Sequence, residues 1–139
     1  MVAGAIKKLL DADGAYVVID EGESMNLQVT LKDAADATID AATVTSITFD
    51  LYDKETTTTI NSRAGVDVKN ANNATVTASI LTIRLDPADA TIVTTANHPA
   101  GGQPETHVAR VIFTYSDGTA TRTGRKRVQF GVAATESPT

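Results

Sequence analysis

The stretch Thr106–Val132, THVARVIFTYSDGTATRTGRKRVQFGV, decides the fold. His107, Ala109, Val111, Phe113 and Tyr115 alternate onto one face, and Val128, Phe130 and Val132 resume the alternation after Asp117-Gly118. Two alternating runs around an Asp-Gly pair are a strong hairpin signal, because a tight turn that follows the strand twist needs residues tolerant of positive φ. The second strand also carries Arg122, Arg125, Lys126 and Arg127, the densest positive cluster in the chain. With a two-residue loop, Phe113 faces Arg122 and Arg110 faces Arg125. If Gly124 makes a bulge, Arg110 faces Lys126 instead. Either register sets like charges opposite one another, which is destabilising, so an anion is expected nearby.

Working outward, Thr43–Asp53 reads as a central strand, with Ile47, Phe49 and Leu51 on one face and Thr48, Asp50 and Tyr52 on the other. Met25, Leu27, Val29 and Leu31 alternate with polar residues in the same period of two. Ala15–Asp20 is a short first strand, and Asp33–Ala42 is a loop with Ile39 pointing inward. Short strands are expected near Ile60 and Val66–Val68, and one longer strand over Thr75–Leu85. Asp86-Pro87-Ala88-Asp89 predicts one helical turn near residues 86–91, because Asp86 can cap it and proline suits its first position. A loop from Thr94 to Glu105 leads into the hairpin. Ala5, Leu9 and Leu10 suggest a helical turn or two in an N-terminal arm, ended by Gly14. The arm is either a surface extension or a peptide that inserts into a neighbour.

The expectation is one all-β domain over residues 15–132, flanked by an arm (1–14) and a tail (133–139). Seven to eight short strands with little helix suggest an immunoglobulin-like β-sandwich. With no cysteine in 139 residues there is no disulfide, thiolate metal site or cysteine nucleophile. A chain of this length buries a core without such staples. No apolar run approaches the ~20 residues of a membrane span, and the N-terminal apolar segment is too short for a signal-peptide core.

Little points to chemistry. The sequence contains no nucleophile elbow, phosphate-binding glycine loop or zinc spacing. His98 and His107 lie on different elements. Asp11-Ala12-Asp13-Gly14 resembles the start of a calcium loop but has Gly22 where the closing glutamate belongs. Asn73-Ala74-Thr75 fits a glycosylation sequon, which means little without export. No enzyme, cofactor or metal is expected.

Charge is unevenly spread. The net charge is −5. Residues 1–55 hold eleven acidic and four basic residues; residues 106–132 hold five basic residues and one acid, Asp117. A net acidic chain whose basic strand lacks interleaved aromatics is a poor nucleic-acid footprint. Either Asp50 and Asp53 on the neighbouring strand neutralise Arg110 and its neighbours, or another subunit does, including an identical chain that docks head to tail.

Two stretches carry a resemblance. ATIDAATVTSITFDLYD and ARVIFTYSDGTATRTGRKRVQF resemble the central strand and closing hairpin of immunoglobulin-like domains in tailed-phage virion proteins: capsid-decoration, neck and baseplate types. The resemblance implies a structural accessory protein that binds neighbouring capsid, neck or tail subunits, present as a homo-oligomer or in many copies. Its place would be the virion, assembled in the bacterial cytoplasm, without nucleic-acid or membrane partners. Candidate contact residues are Arg110, Arg122, Arg125, Lys126 and Arg127 on the hairpin, Leu9 and Leu10 on the arm, and His98 and Gln103 in the 94–105 loop. The alternative is a module that recognises host-surface glycan through its loops, although these loops lack aromatics for sugar stacking.

Overall fold

The computed structural model describes residues 7–10 by their backbone, and residues 17–99 and 102–134 in full. Nine strands follow in order: β1 (Lys7–Leu10), β2 (Val17–Asp20), β3 (Met25–Thr30), β4 (Val44–Asp53), β5 (Val66–Asp67), β6 (Ala74–Thr77), β7 (Ile80–Leu85), β8 (Glu105–Ser116) and β9 (Thr121–Ala133). They form two sheets, β1-β3-β7-β6 and β2-β9-β8-β4-β5. With β3, β4, β6, β7, β8 and β9 in the places of strands B, C, D, E, F and G, this is the immunoglobulin arrangement. Two pairings are parallel, β1 with β3 and β2 with β9.

The core sits between the sheets. Met25, Leu27 and Val29 of β3 and Leu81, Ile83 and Leu85 of β7 face Ile47, Phe49 and Leu51 of β4 and Val111, Phe113 and Phe130 of the long hairpin. All are essentially inaccessible. The period-2 reading predicts this, since alternate side chains leave opposite faces of a strand. Ile39 and Ile60 are buried from loops. The turn at Pro87–Ala90 forms where expected, as a 3-10 turn in which the Asp89 carboxylate accepts the Asp86 N–H at 2.6 Å. A second 3-10 turn, Ala41–Thr43, starts from Asp40, whose carboxylate accepts the Ala42 N–H at 2.9 Å.

Five expectations are corrected. Residues 7–10 are an edge strand and no helical turn. A one- or two-turn helix is unstable without packing, whereas the open edge of β3 satisfies a strand's backbone. Residues 75–85 form two strands, because the chain reverses at Ala78-Ser79. Ala78 has φ 55°, and that turn carries none of the usual glycine, asparagine or proline. Tertiary contacts hold it: Ala41 donates to the Ala78 carbonyl at 2.6 Å, and Leu31 to that of Ser79 at 2.8 Å. The strand expected near Ile60 does not form: Thr59 makes only an isolated bridge to Tyr52, and Ile60 is buried from a bend. With these three changes the described residues hold nine strands.

The long hairpin closes with four residues, Asp117–Ala120, so its register lies two residues further along β9 than a two-residue loop gives. The Asp117 carboxylate accepts the backbone N–H groups of Thr119 and Ala120 at 2.9 and 2.8 Å, and Gly118 takes φ 97°. A shift of two leaves each side chain on its expected face. Finally, Gly124 makes no bulge; it pairs regularly with Phe113. A Cβ there would collide with the Phe113 ring, so the glycine makes room for an aromatic. The rest of the arm and the tail, residues 1–6, 11–16 and 135–139, lie outside the described residues.

Candidate interaction surface

β8 runs through the five-stranded sheet with β9 on one side and β4 on the other. Its inward residues fill the core, so Arg110, Ile112 and Thr114 point outward. Pairing across the strands sets these residues in rows. One row is Asp50, Arg110 and Arg127 on β4, β8 and β9. The next is Asp67, Thr48, Ile112 and Arg125, running from β5 to β9. One end of the face is therefore acidic and the other basic.

The like-charge pair exists: Arg110 lies directly opposite Arg127. Asp50 neutralises the first of them. Both Nε and Nη2 of Arg110 donate to Asp50 Oδ2, at 3.0 and 2.7 Å, and the Gly65 N–H donates to Oδ1 at 2.7 Å. Those charge-assisted bonds push the Arg110 guanidinium further toward its protonated form. Asp53 takes no part. It is buried on the opposite face, where Oδ2 accepts from the N–H and hydroxyl of Thr56 at 3.0 and 2.6 Å.

The other basic candidates separate. Arg122 turns back to the hairpin loop, with Nε 2.8 Å from Asp117 Oδ2. Its guanidinium, helped by the loop N–H groups, holds the Asp117 carboxyl far below the ordinary carboxylate range. Lys126 is half-buried on the inward side of β9, opposite Val111. Arg125 and Arg127 are exposed on the outward side. Among the described residues, neither guanidinium has a hydrogen-bond or ion-pair partner. Among the described residues β2 pairs with Phe130–Ala133 of β9 and nothing pairs with the outer side of the strand before them, where the two arginines stand. Charged side chains commonly guard such an edge.

The remaining candidates do not join this face. His98 is buried, with Nδ1 2.9 Å from the Gln103 carbonyl. The histidine ties its own loop together, which removes it as an exposed contact; the Gln103 side chain stays exposed. For Leu9 and Leu10 the backbone lies on the edge of the other sheet.

Beside the Asp50–Arg110 pair, Tyr52, Thr57 and Thr59 help line a cleft of about 320 Å³. It offers hydrogen-bonding groups and one aromatic wall. Asp50 already accepts three hydrogen bonds, and the described residues lining the cleft include no nucleophile–base pair. Among the described residues no group of His, Asp or Glu is spaced to hold a metal ion, and no helix is long and apolar enough to cross a membrane.

Two buried polar clusters escape the sequence reading. Arg63 Nε and Nη2 each donate at 2.9 Å to the two oxygens of Asp89. Asn61 adds a bond to Asp89 at 2.9 Å, and the guanidinium lies 5.8 Å from the Phe49 ring centre. The Asp89 bond pushes the Arg63 pKa up. At the end of the core, Glu105 accepts from Val93 N–H, Thr94 N–H, the Thr94 hydroxyl and His107 Nε2, the last at 2.6 Å. Burial works against ionising Glu105, but these bonds outweigh it and hold its carboxyl below the ordinary value. Burial pushes the His107 ring down despite the pull of Glu105 and Asp53, so the ring is neutral. Its proton lies on Nε2, facing the carboxylate. The signal in the sequence was slight: Asp89 read as a helix-end charge, and His107 as one member of an apolar alternation.

No protein-family model, curated protein or solved structure matches this chain.

Proposed function

We propose that this protein is a non-enzymatic structural subunit of a tailed-phage virion, an accessory protein that binds neighbouring capsid, neck or tail subunits. The observation that carries the binding role is the outward pair Arg125 and Arg127, exposed and unneutralised within the described residues. Two adjacent guanidinium groups on a rigid sheet suit an acidic protein surface, where charge complementarity sets register and encounter rate more than affinity. The virion setting is supported by the resemblance in β4 and the β8–β9 hairpin. It implies many copies per particle, assembled in the host cytoplasm.

An antibody to the purified protein should label assembled phage particles in electron micrographs. The variant R125E/R127E should fold as the wild type by circular dichroism and be depleted from particles about tenfold. Unlabelled particles, or undiminished incorporation of the variant, would overturn the proposal. The second reading, recognition of host-surface glycan, draws support from the cleft beside Asp50 and Arg110, where Tyr52 supplies the aromatic wall that the 94–105 loop lacks. Specific binding on a glycan array, abolished by Tyr52→Ala, would favour it.

A further inference from the structure

The outward face of the five-stranded sheet is self-complementary in charge, and we propose that a second copy of this chain seats on it. This rests on the reading of that face as an interaction surface and names its occupant. Consider a two-fold axis parallel to the strands, running between β4 and β8 in the plane where two such sheets meet. Rotation about it reverses the order of the strands and keeps every row at its own height. β8 of one copy then lies over β4 of the other, and β9 lies over β5.

The rows match under that operation. In the row Asp67, Thr48, Ile112, Arg125, Arg125 of each copy meets Asp67 of the other, and Ile112 meets Thr48. In the adjoining row, Arg110 of each copy meets Asp50 of the other, which extends an existing ion pair into a four-membered network. Asp67 and Arg125 are both exposed, and Ile112 and Thr48 are half-exposed. The seam thus has an apolar and hydroxyl centre flanked by opposite charges, which is how protein interfaces are built. An isologous contact of this kind closes as a dimer.

Four strands at about 4.8 Å spacing and five or six residues at about 3.4 Å rise set an upper bound of roughly 20 by 20 Å on the patch, because β5 contributes only Val66 and Asp67. That is small beside the ~800 Å² per partner of a standard interface. The dimer is therefore weak, reversible and salt-sensitive, and it is suited to reinforcement by the many copies of an assembly.

Sedimentation equilibrium on the purified chain tests this. At low salt the wild type should show a reversible monomer–dimer equilibrium that weakens at high salt. R125D and D67R should each weaken it about tenfold, because each sets like charges together at two symmetric places. The double variant D67R/R125D exchanges the charges within one chain and should recover dimerisation. A wild type that stays monomeric at several hundred micromolar, or a double variant no better than the single ones, overturns the proposal. Particle incorporation distinguishes this failure from failure of the broader reading. Docking on a different virion protein is not rescued by the exchange, so incorporation lost in R125D and still lost in the double variant leaves an interaction surface without self-pairing.

Discussion

His107 and Asp89 show how single buried groups tie this fold to pH and to charge pairing. His107 is fully buried and neutral, with its pKa pushed below the ordinary 6.5 by burial. The unfolded chain therefore takes up the proton first as pH falls. Stability from this group is complete above pH 6.5 and declines as pH drops through the interval down to the folded value. Glu105 acts further down: its lowered pKa adds stability above about 4.5 that is lost below it. Both losses lie on the acid side. Melting temperature measured from pH 7.5 to 5 should fall for the wild type. His107→Gln keeps a donor for Glu105 but cannot ionise, so its melting temperature should stay flat between pH 6.5 and 5; an unchanged slope would clear His107 of the effect. Asp89 makes the complementary case. Its carboxylate is the only acidic partner of the buried Arg63 guanidinium among the described residues. Asp89→Ala strands that charge and should cost about 3–5 kcal/mol in urea unfolding. The pair Arg63→Met with Asp89→Leu should cost much less than the sum of its single changes, because no uncompensated charge remains.

At the scale of the element, Gly124 explains why the long hairpin stays regular. Its missing side chain is filled by the Phe113 ring, itself buried and packed 5.9 Å from Tyr115. Gly124→Ala pushes a methyl into an aromatic that has nowhere to go and should cost about 1–3 kcal/mol. In a Phe113→Leu background the same change should cost less than half as much, since the smaller side chain leaves the space. Equal costs in both backgrounds would show that backbone freedom, and not the ring, is what the glycine supplies. The same hairpin shows what was legible in the sequence. Alternation alone assigned the faces of β3, β4, β8 and β9, because one buried and one wet face repeat every two residues. Loop length was not legible: Asp117-Gly118 invites a two-residue turn, and it is the Asp117 carboxylate closing over Thr119 and Ala120 that selects four. The turn at Ala78-Ser79 and the Arg63–Asp89 pair were hidden for a related reason. Each depends on partners tens of residues away, which no local pattern records. Within the candidate surface, the basic strand was readable as a cluster. The division of its charges, Arg122 to the loop, Lys126 inward, and Arg125 and Arg127 outward, followed only from the true register.

At the scale of the whole molecule, the sandwich presents two kinds of edge. On the five-stranded sheet, β2 covers Phe130–Ala133 of β9 among the described residues, and Arg125 and Arg127 stand beside the rest of that side, charges that discourage indiscriminate strand pairing. On the four-stranded sheet, β1 covers β3 in a parallel pairing of four residues, Lys7–Leu10 against Met25–Gln28. β3 is poorly defended in its own right. Its outward residues Asn26, Gln28 and Thr30 carry no charge, and its inward ones are core. The N-terminal segment therefore acts as a cover strand, whatever else residues 1–14 do in an assembly. Removing residues 1–13 should leave the β3-β7-β6 sheet and the core in place, so the protein should still fold. A few net backbone hydrogen bonds are lost, each worth roughly 1 kcal/mol, partly offset by the freedom regained by the segment; the expected fall in urea stability is about 2 kcal/mol. The exposed edge of β3 should also make the truncated chain associate through its backbone, an association insensitive to salt. That separates it from the charge-matched dimer on the other sheet, which salt weakens. A truncated chain with wild-type stability that remains monomeric at high salt would mean that β1 contributes neither stability nor edge protection in solution.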